Sequence, residues 1–114
     1  MLLTEIVTVE ERDGVTFVGV DTGWNQACER FVYGDPLTIV PVAAADAPPA
    51  GVVTVAGHIN EGDDLFGEDL PMPAVAEGDV LAILNVGSYN ASMWSEHCLR
   101  PPAGSVAFAD RTDP

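Results

Sequence analysis

Short β-rich runs broken by turn residues at close, regular intervals constrain this chain more than any other feature. Leu2–Glu11 is β-branched at most positions and reads as a strand. Arg12-Asp13-Gly14 reads as a turn, with Gly14 free to take a positive φ, and Val15–Asp21 reads as the returning strand of a hairpin. Leu37–Ala44, Val52–Ala56, Val80–Leu84, Glu96–Arg100 and Ser105–Ala109 supply further strands. Val80–Leu84 is the longest unbroken apolar run and suits a strand buried on both faces. Seven strands with this punctuation predict an all-β barrel or sandwich in one domain spanning residues 1–114.

Two segments leave the β pattern. In Gly23–Tyr33, residues Trp24, Ala27, Cys28 and Phe31 fall three and four apart, which predicts a short helix or helical loop ended by Gly34-Asp35-Pro36. A second short helix is expected to begin near Tyr89 or Asn90, after the glycine of NVGSYNASM. Ala45–Ala50 reads as a hairpin connection. Gly57–Pro73 is rich in acidic residues and reads as a solvated loop, and it lacks the ligand order of an EF-hand. The tail Asp110–Pro114 is expected to fray.

Composition removes whole classes of function. The 114 residues carry 18 acidic side chains and four cations, and all four cations are arginine. A net charge of −14 repels nucleic acid and anionic membrane alike. Without lysine the chain can form no Schiff base and no Walker-type phosphate loop. The opening MLLTEIVTVEERDG does not read as a signal peptide, and no run could span a bilayer, so a cytoplasmic setting is expected. Cys28 and Cys98 are isolated, which fits a reduced compartment. His97 and Cys98 are adjacent on an expected strand and would point apart, so no metal site is expected there.

Two stretches carry chemistry. At Gly87-Ser88-Tyr89-Asn90 a turn presents a phenol beside the start of a helix, where free amides favour an anion; alternatively Tyr89 only packs and caps the turn. In His58-Ile59-Asn60-Glu61-Gly62-Asp63-Asp64 a carboxylate at a loop tip could take an amine or act as a base; alternatively the run is a solvated face.

These stretches, in this order, resemble the C-terminal β domain of the pyridoxal-phosphate-dependent decarboxylases that include diaminopimelate and ornithine decarboxylase. FVGVDTGWNQACERFVYG, VAGHINEGDDLFGEDLP and GDVLAILNVGSYNASMWSEHCLRPP each match a family segment. Members of that family pair a pyridoxal-phosphate-binding α/β barrel with this domain and dimerise head to tail. The resemblance implies that Tyr89 reaches the cofactor phosphate, that Glu61 meets the distal amine of the substrate, and that Asp64 closes the Glu61 motif. It also shows departures. Asn60 stands where the family has cysteine, and Gly62 where it has serine. Glu29 stands where it has a carboxylate-binding arginine, with Arg30 one place late, and His97 stands where it has an aromatic residue.

The barrel, its lysine and its phosphate loop are not in these residues. The resemblance therefore implies a β subunit completing the site of a separate barrel chain, with Glu61 and Asn60 as catalytic residues, Tyr89 at the cofactor, and Asp64, Arg30 and Glu29 lining the substrate pocket. Pyridoxal phosphate would be shared with that partner and not bound covalently here. An amino acid or amine would be the ligand, and a homodimer is conceivable in isolation. A non-catalytic binding module, a cofactor-free enzyme and an excised fragment of a longer enzyme are the other readings.

Overall fold

The computed structural model describes residues 1–109. Six strands form one sheet: β1 (Leu2–Arg12), β2 (Val15–Val20), β3 (Ile39–Pro41), β4 (Gly51–Ala56), β5 (Leu65–Met72) and β6 (Val80–Ile83), in the order β3-β6-β1-β2-β4-β5. Two short helices, α1 (Cys28–Tyr33) and α2 (Ser88–Met93), complete an all-β, barrel-like domain. Among the described residues no helix is long and apolar enough to cross a membrane.

The hairpin expected at Arg12–Val15 is present. Arg12 pairs with Val15, and Asp13 and Gly14 take φ of 51° and 80°. Two consecutive positive φ values give a turn whose twist matches that of the strands it joins. Alternation then places Ile6, Val18 and Val20 inside, where they meet Val55, Phe66, Met72, Leu81 and Ile83. β6 is the doubly covered strand its composition predicts: it pairs with β1 on one side and β3 on the other, and Leu81, Ala82 and Ile83 are all buried.

α1 buries Cys28, its N-cap Ala27 is buried too, and Phe31 packs edge-on to Phe66 with ring centroids 6.0 Å apart. Gly34 ends the helix at φ 77°, its N–H donating to the Arg30 carbonyl at 2.7 Å. Trp24 lies outside the helix and packs on His97 instead.

Five expectations are corrected. Gly57–Pro73 is not all loop, because Leu65–Met72 is β5, paired antiparallel with β4. β5 is an edge strand, so its solvated positions hold Glu68 and Asp69 while Phe66 and Met72 enter the core. Charge density hid that strand. Leu37–Ala44 supplies only a three-residue strand before a 3-10 turn at Val42–Ala44.

Ala45–Ala50 joins no hairpin, because β3 pairs with β6 while β4 pairs with β2 and β5. Glu96–Arg100 is not a strand but contains a 3-10 turn at His97–Leu99, and Cys98 and Leu99 have positive φ. Ser105–Ala109 makes no strand either. The expected fraying of Asp110–Pro114 lies outside the described residues.

Candidate functional site

The loop from Gly57 to Asp64 is organised by Asp64, which is 2 % exposed. Its Oδ1 accepts the Trp24 N–H at 2.7 Å and its Oδ2 accepts the Ile59 N–H at 2.8 Å. Its backbone closes the loop, with the carbonyl accepting the Gly57 N–H at 2.8 Å and the N–H donating to the Glu61 carbonyl at 3.2 Å. Burial pushes the Asp64 carboxyl above its ordinary range, and the two amide donors only partly offset that. His58 adds a second tie, its N–H donating to the Thr22 carbonyl at 2.8 Å. Burial, and then the Arg100 guanidinium, lower the pKa of the His58 imidazole.

A loop held this way presents its tip. Asn60 and Glu61 are exposed there. Glu61 has a partner the sequence pattern did not suggest: the His97 Nε2 lies 2.6 Å from its Oε1. The His97 ring packs against Trp24 with centroids 4.9 Å apart. The 3-10 turn makes this approach possible; an extended strand at Glu96–Arg100 would have had other backbone angles. Asn25 ties the same segment down, its Nδ2 donating to the Ser95 carbonyl at 2.9 Å while its own carbonyl accepts the Ser95 N–H at 3.1 Å.

The second group lies on the two helices. Tyr89 is 63 % exposed on α2 and borders an open groove with Glu29 and the turn from Asn85 to Ser88. Glu29 does not extend into free solvent. Its N–H donates to Asn90 Oδ1 at 3.0 Å, and its Oε2 accepts from Asn90 Nδ2 at 2.9 Å. Cys28 joins α1 to α2 again through its thiol, which donates to the Met93 carbonyl at 3.2 Å, and burial raises the Cys28 pKa. Arg30 turns the other way, its Nε 3.5 Å from the Leu65 carbonyl.

The six residues singled out from sequence therefore fall into separate environments. Asn60 and Glu61 share the loop tip, Asp64 is inside the loop, Glu29 and Tyr89 border the groove, and Arg30 faces β5. Sequence reasoning did not single out Asn90 or Trp24. A buried polar residue in a six-residue helix and an aromatic residue following a glycine were the signals available, and both depend on distant partners for their meaning.

Comparison with known proteins places the chain in a family. The sequence model described as "Pyridoxal-dependent decarboxylase, C-terminal sheet domain" matches residues 1–87. The diaminopimelate decarboxylase of Methanothermobacter thermautotrophicus is 38% identical over 105 residues, which cover 92% of this chain and 24% of that protein. A crystal structure of diaminopimelate decarboxylase superposes with a TM-score of 0.81 at 30% identity, covering 89% of this chain and 27% of that one. The Helicobacter pylori enzyme, solved with L-lysine, gives 0.76 at 29% identity over 88% of this chain and 24% of that one. This chain thus spans about a quarter of the length of the relatives it matches. It belongs to the family of C-terminal sheet domains of pyridoxal-dependent decarboxylases.

Proposed function

We propose that this chain is the β subunit of a pyridoxal-phosphate-dependent amino-acid decarboxylase whose cofactor barrel is carried by a separate polypeptide. The observation that carries this reading is a family domain that exposes Tyr89 just after the expected turn, where the resemblance implies a contact to the cofactor phosphate. The cofactor supplies the electron sink for decarboxylation when bound. The chain suits a supporting contact to it and not its custody. The groove beside Tyr89 is lined by one carboxylate side chain, Glu29, and by no arginine side chain. Tyr89 would add one phenolic hydrogen bond to a phosphate held mainly by the partner. Glu61 and Asn60 would face the substrate from the loop tip, and Asp64 would serve by shaping that tip.

Val32 and Tyr33 on α1 and Tyr89 on α2 are all more than half exposed, which leaves apolar surface for a barrel partner or, in isolation, for a second copy. Co-expression with a barrel protein tests the proposal. The expected result is a complex with the absorbance of bound cofactor that decarboxylates an amino acid only when this chain is present. A partnerless, colourless chain would overturn it. A non-catalytic binding module is the second reading. Asn60 at the cysteine position and Glu29 bound to Asn90 at the arginine position favour it, and it predicts a complex whose activity this chain leaves unchanged or lowers.

A further inference from the structure

A pocket of about 410 Å³ opens where the end of β2, the Gly57–Asp64 loop and the segment after the 3-10 turn at His97–Leu99 meet. Asp21 and Thr22 line it just past β2, His58 lines it from the loop, and Arg100 from the last segment. Its walls are tied together. The His58 N–H donates to the Thr22 carbonyl at 2.8 Å, and Arg100 Nη2 donates to the His58 carbonyl at 3.3 Å. Gln26 pins the outer wall, its Nε2 donating to the Pro101 carbonyl at 3.0 Å and its Oε1 accepting the Ala103 N–H at 2.8 Å. None of the residues assigned above to substrate or cofactor is among those lining it.

Two polar groups of this pocket have no partner among the described residues. Thr22 is 4 % exposed, and its hydroxyl is buried without a hydrogen bond. His58 Nε2 is buried without one as well. A buried polar atom left unpaired costs stability, so each is a place where a ligand atom supplies a bond that the fold lacks. Two opposite charges line the same pocket. Asp21 Oδ1 accepts from Thr4 Oγ1 at 2.6 Å and from the Glu5 N–H at 2.8 Å, which leaves Oδ2 for another donor. Arg100 meets no carboxylate within ion-pairing distance among the described residues. A guanidinium and a carboxylate therefore share one pocket without meeting. Burial lowers the His58 pKa most and Arg100 lowers it further, while Asp64 and Asp21 raise it, so the ring lies within the field of both charges.

We propose that this pocket binds a small dipolar ion, with a carboxylate at one end and an ammonium at the other. The carboxylate takes the N–H donors of Arg100 and the Thr22 hydroxyl, and the ammonium takes Asp21 Oδ2. His58 Nε2 adds one further bond, as donor or acceptor according to its tautomer. Neither half of such a ligand suffices. A bare carboxylate is repelled by a chain of net charge −14, and a bare amine is opposed by Arg100 and drawn to carboxylates over the whole surface. Asp21 and Arg100 are both exposed, so each charge is worth a modest amount and the site is a weak one.

The 114-residue chain is titrated with glycine, acetate or methylammonium while the Thr22 amide and His58 ring resonances are followed. Glycine should shift both saturably, at about twofold to fivefold lower concentration than either half. Arg100→Gln and Asp21→Asn should each weaken glycine binding by about twofold to fivefold; the asparagine keeps an oxygen for Thr4 and Glu5. Thr22→Val separates binding from folding. It should weaken glycine binding by about twofold to tenfold, yet leave the melting temperature unchanged or raised, because the lost hydroxyl has no partner in the empty pocket. Four outcomes overturn the proposal: no saturable shift from glycine, acetate or methylammonium binding as tightly as glycine, wild-type glycine binding by Thr22→Val or Arg100→Gln, and a lower melting temperature for Thr22→Val. No barrel partner enters this titration, so its result and that of the co-expression stand apart.

Discussion

Glu29 and Asn90 exchange two hydrogen bonds, one from the Glu29 backbone and one to its carboxylate, and so fasten α1 to α2 beside Tyr89. Asn90 is 3 % exposed, so its amide has no solvent to turn to. Asn90→Ala leaves the Glu29 N–H without its partner and should cost about 1–3 kcal/mol in urea denaturation. Combining it with Glu29→Ala should cost less than the sum of the two single changes, because they break one shared interaction.

Asp64 links pH to stability with a definite sign. Burial raises its pKa in the folded chain above the ordinary 3.8, so over that interval the native state binds the proton more tightly than the unfolded state. Its contribution is therefore fully present below pH 3.8 and is lost as pH rises through the folded value. Asp64→Asn cannot ionise, and the stability difference between wild type and this variant should move against wild type as pH rises. Urea midpoints measured from pH 3.5 to neutrality check this, and a difference that favours wild type increasingly with pH would contradict it.

Two glycines in the same loop make a paired test. A Cβ on Gly57 would run into the Asp64 carboxylate, whereas one on Gly62 would meet nothing within 4 Å. Gly57→Ala should destabilise the chain by more than about 2 kcal/mol, through a clash with a residue that cannot give way without losing its amide bonds. Gly62→Ala should stay within about 0.5 kcal/mol of wild type. Thermal melts of the two variants side by side are sufficient.

Tyr89→Phe separates a packing role from a binding role. The side chain is 63 % exposed, so removing its hydroxyl should change stability by less than about 0.5 kcal/mol. If the phenol meets a phosphate, the same change should weaken cofactor retention in the complex by about tenfold to a hundredfold, the worth of a hydrogen bond to a charged group. Equal retention by wild type and variant would remove Tyr89 from the cofactor's surroundings.

The sequence by itself determined what depends on local order. Alternating apolar residues in β1 and β2, the Asp13-Gly14 turn, the unbroken apolar run of β6 and the spacing of Ala27, Cys28 and Phe31 each specify a local shape, and each is present. The absence of lysine is equally independent of folding.

Tertiary structure decided the fate of the acidic residues, which no local pattern distinguishes. Asp64, Glu61 and Glu68 lie within one charged stretch. One is clamped by an amide forty positions away, one is paired with His97, and one faces solvent on an edge strand. Hydrophobic periodicity reports burial through neighbours three, four or two positions away. The role of a carboxylate is set by whichever donors the fold brings to it: His97 reaches Glu61 and Trp24 reaches Asp64 from distant segments.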